Sequence, residues 1–68
     1  MYKVTVWVHW LSINEQTAHA FERRSFRTAI GTFNYEKSLL LGLARYKSIS
    51  AIVTLIDKAG NVKKQFIH

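Results

Sequence analysis

The 68-residue sequence has no cysteine, no proline and only three glycines. Without cysteine there are neither disulfides nor thiolate metal ligands, so two common supports of very small folds are absent and a reducing cytoplasm suits the chain. With no proline, repeat or low-complexity stretch there is no linker at which to divide it, so residues 1–68 read as a single compact α+β domain. Glycine is too sparse for a phosphate-cradling loop. The longest apolar block, Leu39 to Ala44, contains Gly42 and falls far short of the roughly 20 residues of a membrane span. The alternating start, Met1 to Val6, is unlike an export signal, so the expectation is a soluble cytoplasmic protein that does not engage a membrane.

Acidic residues are also scarce, with four against ten Lys and Arg, and only three histidines are present. General acid–base chemistry needs titratable groups held together, yet His9 and His19 fall on different expected strands and His68 is the last residue. No spacing matches a zinc site such as His-Glu-x-x-His. These gaps argue against an enzyme, a metal or a cofactor.

The chain does have hydrophobic content, 49 % of its residues, which removes it from the disordered class. It also has charge. A formal +6 on so small a body favours nucleic acid, nucleoprotein or acidic protein surfaces as partners, although net charge also serves solubility.

From Tyr2 to Leu11 polarity alternates, with Tyr2, Val4, Val6, Val8 and Trp10 on one side and Lys3, Thr5, Trp7, His9 and Leu11 on the other. That is a strand with its even side to the core, Trp10 included, and Trp7 on the outer side. Thr17 to Arg24 reads as a second, weaker strand. Ser25 is an N-cap residue ahead of the stripe Phe26, Ala29, Ile30 and Phe33, which continues through Lys37, Leu40, Leu41 and Ala44 and predicts a helix over about 26–46. Gly31, Thr32, Asn34 and Tyr35 soften its middle, and a break there is the alternative. Leu39 and Leu43 lie off the stripe and need cover. Ile49 to Ile56 is apolar on both faces, as a central strand is. Asp57 to Gly60 reads as a tight turn, and Asn61 to Ile67 returns as a strand. The expected fold is α+β in the order β-β-α-β-β: a four-stranded, mainly antiparallel sheet with one helix packed on one face.

Three groups are candidates for partner binding. Arg23, Arg24 and Arg27 surround the helix start, where unpaired N–H groups attract anions; the same arginines read equally as a solvated turn. Lys58, Lys63 and Lys64 decorate the last hairpin, where edge protection is the competing explanation for Lys63 and Lys64. Trp7 stands in a row with Lys3, Thr5 and His9, suited to stacking on bases or anchoring a protein interface.

The layout of the Tyr2–Leu11 strand, Thr17–Arg24 strand, Ser25-capped helix and Ile49–Ile67 hairpin resembles small phage-encoded inhibitors of host machinery, anti-CRISPR proteins among them. The resemblance implies a compact, cysteine-poor, non-enzymatic protein that acts inside the host cell by binding. Many such inhibitors are acidic mimics of nucleic acid, and this basic chain departs from that pattern. The sequence thus leads to an inhibitory or regulatory protein docking on a host protein or nucleoprotein complex. A direct DNA- or RNA-binding module is the alternative, and a homo-oligomeric structural subunit using Leu39 and Leu43 is a third reading.

Overall fold

The alternating segment forms strand β1 (Tyr2–Trp10), and a turn over Leu11–Asn14 leads into β2 (Glu15–Arg23). Helix α1 (Phe26–Leu43) follows, then β3 (Ile49–Ile56) and β4 (Val62–Ile67), all seen in a computed structural model that describes all 68 residues. The order β-β-α-β-β is as the sequence predicts. The sheet runs β2-β1-β3-β4 with every neighbouring pair antiparallel.

The strand order follows from what each strand can bury. β1 and β3 place Val4, Val6 and Val8 beside Leu55, Val53 and Ala51 on the helix side, all buried. β2 and β4 are at the edges, and their residues are mostly exposed. β2 begins and ends earlier than the 17–24 expected, pairing Glu15 with Trp10 and Arg23 with Tyr2. Its turn needs one left-handed residue, Asn14 at φ 51°, a conformation asparagine tolerates. His9 Nε2 lies 2.9 Å from Asn14 Oδ1 and helps to hold that turn.

The helix is unbroken through 31–35, so the alternative of a break there does not occur. Ser25 Oγ accepts the Thr28 backbone N–H at 3.2 Å, as its N-cap role requires. Packing of Ala29, Phe33 and Leu40 against the two central strands outweighs the weak propensities of the middle turn. The helix ends at Leu43 rather than near 46. Arg45 and Tyr46 donate to Gly42 and Leu43 carbonyls at 3.3 and 3.0 Å, a tightened final turn that releases the chain toward β3. Leu43 packs against the core edge, whereas Leu41 on the predicted stripe is 44 % exposed. Leu39 is half-exposed, so Leu39 and Leu43 do not share one outward patch.

Trp10 lies on the helix side as expected but is only half-buried, because the helix has ended before it reaches that corner. Its indole N–H reaches Thr17 Oγ1 at 3.3 Å. Two lysines complete the roof over β4: Lys64 Nζ sits 5.4 Å from the Phe33 ring centre and Lys37 Nζ 5.3 Å from that of Phe66.

Val6 and Val53 face one another across β1 and β3 and are 5 % and 0 % exposed. Replacing either with Asp strands a carboxylate in the core, and circular dichroism should show no cooperative melt. Gly31 lies mid-helix with open space around a Cβ, so Gly31→Ala should stabilise by about 0.5–1 kcal/mol and raise the melting midpoint by several degrees.

Candidate partner-binding surface

The antiparallel ladders bring together groups that are far apart in the sequence. β2 ends at Arg23 opposite Tyr2, and β3 ends at Ile56 opposite Lys3. The Arg23–Ser25 turn, the start of β1 and the Asp57–Asn61 turn therefore share one end of the sheet. Helix α1 starts at the same end, with the Phe26 ring edge-on to Tyr2 at 5.6 Å. The helix-start arginines and hairpin lysines, two groups in the sequence, form one basic pole with Lys3.

Its members differ in how tightly they are held. Arg23 is committed to the fold: its Nε donates to Thr32 Oγ1 at 3.0 Å, its Nη1 donates to the Glu22 carbonyl at 2.8 Å, and it lies over Phe21 at 5.6 Å. Lys64 is turned onto Phe33, and Lys63 pairs with Asp57 at 3.7 Å. That long, half-exposed pair is the only ion pair in the molecule, and pairs near the surface contribute little. Lys3, Arg24, Arg27 and Lys58 are exposed and form no ion pair. The first turn of α1 also lacks an acidic residue, so the positive end of the helix dipole adds to the same field.

The turn that carries Lys58 is rigidly built. Asp57 Oδ1 accepts the backbone N–H groups of Ala59 and Asn61, each at 2.9 Å, and Gly60 takes φ 88°, open to glycine without strain. A shallow depression of about 290 Å³ lies between this turn and the first strand, with Lys3 and Lys58 on its walls beside Glu22 and Asp57.

The sheet face away from the helix is uncovered. Along β1 it presents Lys3, Thr5, Trp7 and His9, flanked by Ala18 and Ala20 on β2 and Ile52 and Thr54 on β3. Trp7 is half-buried between these neighbours, its indole N–H donating to Gln16 Oε1 at 3.2 Å and its ring 6.0 Å from that of His9. It lies mid-sheet, and Lys3 at the start of the same row connects it to the pole. Lys3 and Lys58 lie far apart in the sequence, and only the β1–β3 register, which no local pattern encodes, unites them.

No cluster of three or more His, Cys, Asp or Glu side chains is arranged to hold a metal ion. No helix is long and apolar enough to cross a membrane. No family model, curated protein or solved structure matches the chain. The functional reading therefore rests on the surface itself.

The Asp57 carboxyl is held below its ordinary value of 3.8, chiefly by the Asn61 amide; partial burial opposes this, and the Ala59 amide and Lys63 reinforce it. Because the folded-state value is the lower one, the stabilisation is complete above pH 3.8 and is lost as pH falls through the depressed value. Asp57→Asn should accordingly show a shallower loss of melting temperature on acidification below that pH than the wild type. Identical acid limbs would remove Asp57 as the organiser of the turn.

Proposed function

We propose that this chain is a small inhibitory or regulatory protein, of the phage-encoded kind, that docks by its basic pole on a host nucleic-acid-processing complex. It works by binding. The observation that carries this reading is the convergence of Lys3, Arg24, Arg27 and Lys58 at one end of the sheet without ion-pair partners. Placing like charges together beside a helix N-terminus raises the energy of the free protein, and an arriving phosphate or carboxylate relieves it. Arginine's forked donors suit both anions. Arg23 serves this site by fixing the β2-to-α1 corner that presents its neighbours.

Direct binding to DNA or RNA is the second reading, favoured by the uncovered row that runs from Lys3 past Trp7 to His9. There phosphate contact and base stacking would lie on one strand. A complex-directed inhibitor needs the host protein for tight binding, whereas a nucleic-acid module binds the naked polymer.

The distinguishing experiment is a salt titration of binding to naked DNA and RNA and to candidate host nucleoprotein complexes. It compares wild type with an Arg24→Ala/Arg27→Ala/Lys58→Ala variant. Folding should survive, since exposed substitutions usually change stability by less than about 0.5 kcal/mol each. Where the contacted surface is nucleic acid, three lost phosphate contacts should flatten the slope of log affinity against log salt by roughly 2–3. Where it is an acidic protein surface, affinity should drop without that per-phosphate regularity. Unchanged affinity for every partner in the variant would eliminate the pole as the docking site.

A further inference from the structure

The two edges of the sheet are built differently. β4 is short, carries Lys63 and Lys64, and has a register shift against β3 at Leu55/Ile56, all devices that discourage a further strand. β2 has none of them. It is nine residues long, pairs with β1 without interruption, contains no lysine, and is exposed on both faces from Glu15 to Ala20.

Its free hydrogen-bonding groups can be assigned from the ladders. Ala51 and His68 exchange both backbone bonds, at 3.2 and 2.9 Å, so odd residues of β3 address β4 and even ones address β1. In the β1–β3 register those even residues meet odd residues of β1, such as Thr5 and Trp7. Even residues of β1 consequently bond to odd residues of β2: Val4 to Phe21, Val6 to His19 and Val8 to Thr17. The N–H and C=O groups of Gln16, Ala18 and Ala20 and the N–H of Glu22 point away from the sheet with no strand to receive them, and the outward Glu22 C=O, which accepts from Arg23 Nη1, keeps its second lone pair.

We propose that β2 is a homodimerisation edge that pairs antiparallel with β2 of a second copy about a two-fold axis at His19, giving a continuous eight-stranded sheet. This register sets Ala18 against Ala20 and Gln16 against Glu22 in the hydrogen-bonded pairs, which uses every free backbone group of the edge. It also sets Glu15 opposite Arg23, twice, on the helix side of the sheet. No neighbouring register of matching parity opposes these charges, and each pairs fewer of the nine residues. The charge pattern of β2 is self-complementary although the chain as a whole is strongly positive. The two helices would stand about 19 Å apart, four strand spacings, so they do not collide. The trough between them is floored by Thr17, His19 and Phe21, and its walls carry the exposed Tyr35 and Leu39, side chains that the monomer leaves in water. A second copy also supplies the partner surface that a core of ten buried residues invites.

Amide exchange followed residue by residue, with sedimentation equilibrium on the same samples, tests this on the full chain. In dilute protein the Ala18 and Ala20 amides should exchange quickly while Thr17, His19 and Phe21 are protected. At near-millimolar protein the Ala18 and Ala20 amides should become protected as the mass doubles. Glu15→Lys and Arg23→Glu should each weaken self-association roughly tenfold, and mixing the two should restore it, because only the mixed dimer opposes unlike charges at both positions. Ala20→Pro removes an outward N–H and no bond to β1, so it should give a folded monomer and keeps the test open if a charge variant unfolds. Concentration-independent exchange at Ala18 and Ala20, or a dimer that persists in Ala20→Pro, would overturn the proposal.

Discussion

One helix cannot cover four strands. Helix α1 is about 10 Å wide against a sheet of about 14 Å between its outer strands, so it buries the central pair and leaves the edges and the far face to water. The other features of the molecule follow from that mismatch. Phe33, 2 % exposed, is the keystone under the helix, and Lys64 closes its open side with an ammonium where a larger protein would place another apolar residue. The outer backbone groups of β2 stay unpaired because the chain supplies no fifth strand to receive them. The Trp7 face stays bare because there is no second helix.

Charge is distributed on the same plan. The helix and the strands all have an end at the pole where Arg24, Arg27, Lys3 and Lys58 meet, and none of these cations is in an ion pair, although Glu22 and Asp57 lie nearby. A protein shaped only for stability would place carboxylates at the first turn of its helix, where they complement the dipole, and keep cations for the last. This chain does the reverse at the first turn, with Arg27 inside it and Arg24 just before it. Within one small body the core, the Asp57 turn and the Ser25 cap obey local rules of stability, and the pole departs from them. Departures of that kind mark where binding is expected to compensate the cost.

What the sequence disclosed depended on which residues the core constrains. Val4, Val6 and Val8 alternate because one face of β1 is sealed, and Ile49 to Ile56 lacks alternation because β3 is central; both patterns were readable. β2 was harder to delimit because, beyond the reach of the helix, nothing forces Thr17 or His19 to be apolar. The soft residues from Gly31 to Tyr35 suggested a break, yet tertiary packing carried the helix through. Trp10 sits on the predicted side but at a corner the helix does not reach. The basic groups were visible as separate runs. Their union required strand order and register, which are long-range properties that no local pattern encodes.

In the proposed function, Lys3, Arg24, Arg27 and Lys58 act as one anion-binding surface. Two-dimensional NMR of the labelled protein, titrated with a short duplex as a model polyanion, tests it most directly. Shifts should concentrate at residues 24–28, at 57–61 and at Lys3, three stretches distant in sequence moving together at one affinity. Shifts centred instead on Arg45 and Lys47 at the opposite end of the sheet, or scattered over all the lysines and arginines alike, would contradict it.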